Sequence, residues 1–144
     1  MYQKQLVNFI TAYPLCKYWV LICFHIIGDF LLQTDFMARG KSKQYWKDLR
    51  EKRKKSDDMD KIPPVLPDRD WIMPLLAHCF LWSCCVHYPI IISSNTHPLI
   101  IALSIGSHTL IHAFIDHGKT NLHLYTIFGD QIFHILQLLL LVFM

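Results

Sequence analysis

His25-Ile26-Ile27-Gly28-Asp29-Phe30-Leu31-Leu32-Gln33-Thr34-Asp35 is the stretch whose reading decides the fold. It sets His25, Asp29 and Gln33 into a run that is otherwise apolar from Tyr18 to Met37. In a helix these three positions rise along one face, at about 1.5 Å per residue. The other faces carry Leu, Ile, Phe and Val. An apolar helix of bilayer length with one polar stripe must turn that stripe away from lipid. The expectation is therefore a bundle of membrane helices closed around polar side chains.

The rest of the chain agrees with that reading. Hydrophobic residues make up 53% and charged residues 17% of the 144 positions, too little charge for an ordinary soluble domain. Mean hydropathy is positive. The apolar residues fall in blocks, predicting spans at about 18–38, 71–92, 98–115 and 125–144. Residues 2–15 carry Leu6, Val7, Phe9, Ile10 and Tyr13 at helical spacing, which predicts a short N-terminal interfacial helix ended by Pro14. No cleavage site of the secretory kind follows it. The predicted fold class is all-α: one polytopic membrane domain, a four-transmembrane-helix bundle with that short helix in front.

Residues 39–70 break the pattern. Eleven of the fourteen Lys and Arg residues sit there, followed by a proline-stiffened Ile62-Pro-Pro-Val-Leu-Pro67. The positive-inside rule makes this loop cytoplasmic and puts both termini outside. Anionic lipid is an expected partner of the loop. The interspersed Asp48, Glu51, Asp57, Asp58 and Asp60 argue against nucleic acid. The five cysteines are odd in number, lie in or beside apolar blocks and form no Cys-x-x-Cys pair, so they read as small hydrophobes.

This topology brings the polar stripes to one depth, in the cytoplasmic leaflet. Span one contributes His25, Asp29 and Gln33, and span two His78. Span three contributes His108, His112 and Asp116, spaced four apart, and span four Asp130 and His134. His87, His97, His117 and His123 fall elsewhere. Each residue has a structural explanation of its own, such as a helix–helix hydrogen bond or His108 on Ser104 or Ser107. Together, three intramembrane carboxylates and five imidazoles are costly unless paired or metal-bound. His25, Asp29, His78, His108, His112, Asp116, Asp130 and His134 are therefore the candidate ligands of one or two divalent ions: zinc, manganese or iron. Asp29, Asp116 and Asp130 are candidate catalytic acid/base groups, and Gln33, Lys119 and Gln131 candidate substrate contacts.

His25-x-x-Gly28-Asp29-Phe30-x-x-Gln33-Thr34-Asp35, His78, His112-x-x-x-Asp116-x-x-Lys119 and Asp130-Gln131-x-x-His134 resemble a domain-of-unknown-function family of small integral membrane proteins from bacteria and their phages. The likeness runs from about residue 18 to 140, and the basic 39–70 segment is longer than that family's core needs. The pattern is also distantly similar to bacterial inner-membrane metal-dependent hydrolases. These resemblances imply a multi-pass protein of the bacterial inner membrane.

The residues predict a metal-dependent hydrolase acting on a membrane-associated or phosphate-bearing substrate. An oxidative di-iron enzyme is a variant separated by metal identity. A second class is an ion or proton channel or transporter using the stripe as a relay; lacking inverted repeats, it would have to be a homo-oligomer. A third is a non-enzymatic phage or bacterial membrane interaction protein.

Overall fold

The computed structural model describes residues 13–55, 69–93 and 95–142. Among them all regular structure is helical: α1 (Pro14–Ile26), a π-helical turn (Ile27–Leu31), α2 (Asp35–Gly40), α3 (Lys43–Lys55), α4 (Ile72–Ser93), α5 (Pro98–Leu122) and α6 (Ile127–Val142). Helix α1 packs on α4 and α6, and α5 packs on the same two, so the four close into a ring. The apolar contact of α1, α4 and α6 is built from Leu21, Trp82, Val86, Ile90, Leu138 and Leu141.

The first predicted span is not one helix. Pro14 opens α1 at its first turn, where a missing N–H costs nothing. After Ile26 the chain widens into the π turn, in which Leu32 N–H reaches back five residues to the Ile27 carbonyl at 2.9 Å. The helix then stops. Thr34 restarts the chain as the N-cap of α2, its Oγ1 accepting from Met37 N–H at 3.3 Å. The interfacial helix expected over residues 2–15 lies almost wholly outside the described residues.

Two further boundaries move. Helix α5 runs to Leu122 and ends where His123 takes a left-handed conformation (φ 54°), so Asp116, His117 and Lys119 are helical and not in a loop. The predicted 116–124 connection shrinks to a few residues before α6. Tyr125 folds back across it and donates to the Ile115 carbonyl. Gly118 makes room: a Cβ there would meet the Tyr125 hydroxyl at 2.6 Å. The basic 39–70 segment also contains helices, α2 ending at Gly40 and α3 starting at Lys43, while residues 56–68 lie outside the described set. Gly40 lets this arm lie on α4, because a Cβ there would sit 2.9 Å from Pro74 Cγ.

Polarity is distributed inside out. The buried side chains include His25, Asp29, His78, His87, His108, His112, Asp116, Asp130 and His134. Among the described residues thirty large hydrophobic side chains are exposed, including Phe30, Phe114, Phe128 and Leu140. A bundle folding in water would do the reverse. Helices α4 and α5 are long and apolar enough to cross a membrane; α6, with 16 residues, is apolar but shorter, so a four-span bundle does not follow from helix length.

Candidate metal centre

Helix α5 provides the middle of the site. His112 and Asp116, four residues apart, point into the ring and are fully buried. Helix α4 brings His78 against them from one side, and α6 brings Asp130 and His134 from the other. The π turn delivers Asp29. Widening the helix there lets Gly28 lie close to α4, where a Cβ would meet Trp82 and Cys85 at 3.2–3.3 Å, while the next residue faces the centre. π turns of this kind recur at functional sites for this reason.

The ligand-type atoms converge in two sets that share Asp116. In the first, His78 Nε2 lies 3.2 Å from Asp29 Oδ1, 3.3 Å from His112 Nε2 and 3.5 Å from Asp116 Oδ2. In the second, His134 Nε2 lies 3.5 Å from Asp116 Oδ1 and 3.3 Å from Asp130 Oδ1. Ligands about 2.0–2.1 Å from a tetrahedral zinc ion stand roughly 3.3 Å from one another. The distances from His78 Nε2 and from His134 Nε2 are of that order, and the ligand atoms of Asp29, His78 and His112, like those of Asp116, Asp130 and His134, all lie within 4.8 Å of one another. His134 Nε2, Asp116 Oδ1 and Asp130 Oδ1 are buried without a hydrogen-bond partner, an expensive state for polar atoms so close together. These His and Asp groups can hold a metal ion.

Two lysines complete the electrostatics. Lys41 is buried and places Nζ 2.5 Å from Asp116 Oδ2. Lys119 pairs with Asp130 and lies 3.9 Å from Asp116 Oδ1. Three ionised carboxylates face two ammonium groups, leaving one negative charge in excess. One divalent cation would more than offset it, and a second would need further anionic ligands such as hydroxide or a phosphate-bearing substrate.

Around the ligand atoms, Gln131 bridges the halves. Its Nε2 donates to Asp29 Oδ2 at 2.9 Å and Asp130 Oδ2 at 3.3 Å, and its Oε1 lies 3.0 Å from His25 Nε2. His25 Nδ1 accepts from Trp82 Nε1 at 2.8 Å. With both nitrogens engaged, His25 orients Gln131 and is not itself at the ligand position expected from sequence. Gln33, with its amide turned to satisfy both neighbours, accepts from Lys41 Nζ at 2.9 Å and donates to the Asp29 carbonyl at 3.2 Å. It steadies Lys41.

Ring packing sets the orientation of the imidazoles. His112 and His134 stack with centroids 4.1 Å apart at 15°, and the Trp82 ring lies 4.3 Å from His112. His108 stands apart from this group. Its Nδ1 is 2.9 Å from the Ser104 carbonyl and its ring makes an edge contact with His87 at 5.1 Å. His87 in turn binds the Ser83 carbonyl at 2.7 Å and Ser104 Oγ at 2.8 Å. This is a separate polar layer without carboxylates.

Sequence reasoning missed three members. Lys41 was indistinguishable from ten other cations in its segment; only contact through Gly40 singles it out. Trp82 follows His78 by four residues, a signal available in the sequence. Cys79, read as a small hydrophobe, has its Sγ within 4.8 Å of ligand atoms of both His112 and Asp116. Comparison with protein-family models, curated proteins and solved structures gives no match.

Proposed function

We propose that this chain is a bilayer-embedded, metal-dependent hydrolase acting on a phosphate-bearing substrate. The observation that carries the reading is the convergence of buried His and Asp ligand atoms on both sides of Asp116, with His78 Nε2 and His134 Nε2 each 3.5 Å from one of its oxygens. In this reading α1 with its π turn, α4, α5 and α6 all cross the bilayer, in keeping with the exposed apolar exterior. The basic arm, α2 and α3, then lies on the cytoplasmic side of a bacterial inner membrane, following the charge asymmetry.

Asp29, His78, His112 and Asp116 would hold the first ion, in zinc or manganese chemistry suited to mixed imidazole and carboxylate ligands. Asp116, Asp130 and His134 would take a second. A bound divalent ion supplies Lewis acidity, lowering the pKa of coordinated water and polarising a phosphoryl oxygen. Lys41 and Lys119 are placed to receive phosphate oxygens as they give up part of their contact with Asp116 and Asp130. With only the first ion bound, Asp130, unbonded at Oδ1 and held at Oδ2 by Lys119, would be the best-placed proton acceptor; a second ion would take that oxygen as a ligand instead. Gln131 and His25 keep Asp29 aligned.

Elemental analysis of detergent-purified protein tests the reading, with Asp116→Asn and His134→Ala variants alongside. One to two equivalents of zinc or manganese are expected in the wild type, with binding weakening as pH falls because protons compete for the same atoms. Hydrolysis of a chromogenic phosphate ester should follow metal content. Absence of metal after incubation with zinc, manganese and iron would overturn the proposal; iron alone, with no hydrolysis, would turn it toward oxidative chemistry.

A further inference from the structure

A groove of about 260 Å³ runs along the outer seam of α4 and α5, and its lining is wholly apolar. Leu75, Leu110, Ala113 and Phe114 form its length, and Trp71 and His117 its end. It shares its wall with the metal centre. Along α5, Ala113 and His117 face the groove while their neighbours His112 and Asp116 face the ligand sets. Helix α4 separates Leu75 and His78 in the same way.

The end of the groove is distinctive. Trp71 stacks on His117 with centroids 4.8 Å apart, and Lys43 Nζ lies 4.7 Å over the Trp71 ring. Asn121 fixes this corner, accepting from Lys43 N–H at 2.7 Å and donating to the Lys41 carbonyl at 3.0 Å. Lys43 begins α3, which carries seven basic and two acidic side chains. An apolar slot thus ends under a concentrated positive charge. In a bilayer the slot meets acyl chains and the cations meet headgroups, so the charge selects which lipid occupies it.

We propose that this groove binds one acyl chain of a phosphate-headed anionic lipid, with its headgroup held at Lys43 beside the metal centre. The proposal rests on the bilayer-embedded reading above and narrows that reading's substrate to a lipid phosphate. Seating the chain outside the α4–α5 seam would bring the phosphate to the rim next to Lys41 and Asp116, with no passage of the tail through the bundle.

The test uses full-length protein in phosphatidylcholine nanodiscs, with tryptophan quenching by brominated phosphatidic acid compared against brominated phosphatidylcholine. The wild type should show about fivefold preferential quenching by the anionic lipid, the size expected for one well-placed cation. Trp71→Phe should remove the selective component. Ala113→Leu, filling the slot from a half-buried position, should weaken quenching by both lipids. Lys43→Gln should abolish the preference and keep chain contact. Equal quenching by both lipids in the wild type, or an unchanged Ala113→Leu, would overturn the proposal and leave only unselected bilayer chains on this face. Metal content read on the same samples separates the two claims: selective lipid binding without metal retains the groove and removes the hydrolase, and metal without selectivity does the opposite.

Discussion

Two histidine clusters sit one turn apart in the same bundle, and they do different things. Around Asp116, imidazole nitrogens face carboxylate oxygens at ligand-to-ligand spacing, and several of these atoms lack any hydrogen bond. Around His87 and His108, three of the four ring nitrogens end on backbone carbonyls and a serine hydroxyl, and His108 Nε2 is left without a partner. The first arrangement could hold a cation; the second is mostly satisfied by the helices themselves. Histidine alone is therefore a poor guide inside an apolar helical bundle. The partner it faces decides its role.

The sharpest way to break this contrast is Asp116→Asn, which keeps volume and removes the anion common to both ligand sets. Zinc affinity should fall by more than about 100-fold, beyond the 10–100-fold typical when only an orienting residue is lost. Isothermal titration on protein of unchanged elution volume would show it, and retained affinity would mean the sets are not ligands. Gln131→Ala should cost about 10–100-fold in the same titration, since it frees Asp29 without touching a ligand atom.

Gly118→Ala comes next. The new Cβ must push the Tyr125 hydroxyl off the Ile115 carbonyl, with an expected loss of about 1–3 kcal/mol. It should loosen the α5–α6 corner that sets Asp130 beside Asp116, so the second metal equivalent should weaken before the first. Smallest is His87→Leu in the other cluster. It should leave metal content unchanged and lower the thermal midpoint in detergent modestly, at about 1 kcal/mol for the hydrogen bonds lost. Loss of metal in that variant would merge the two clusters into one site.

Much of this was legible in the sequence because polar residues in apolar helices have few places to go. The i, i+4 pairs His112/Asp116 and Asp130/His134, together with His78 and Asp29, are found facing one another. What was not legible came from breaks in helical regularity. The spacing of His25, Asp29 and Gln33 suggested one straight stripe, but the π turn and the stop before Thr34 divide it among three jobs: aligning Gln131, facing the ligand sets and steadying Lys41. Depth in the bilayer grouped His108 with His112, although adjacent turns of α5 face different partners on α4. Lys41 could not be seen at all, because its position depends on Gly40 lying against Pro74, 34 positions further along the chain and outside any local pattern.

The π turn also works as a rotational spacer. It inserts one residue with little gain in axial length, so the side chains within it are turned about the axis, by up to roughly 100°, relative to an uninterrupted α-helix. Exchanges on the exposed outer face of α1 should therefore be tolerated, whereas deletion of Ile27 or Gly28 should swing Asp29 out of the ring and Phe30 in. In such a chain, residue count through this turn is under stricter control than residue identity.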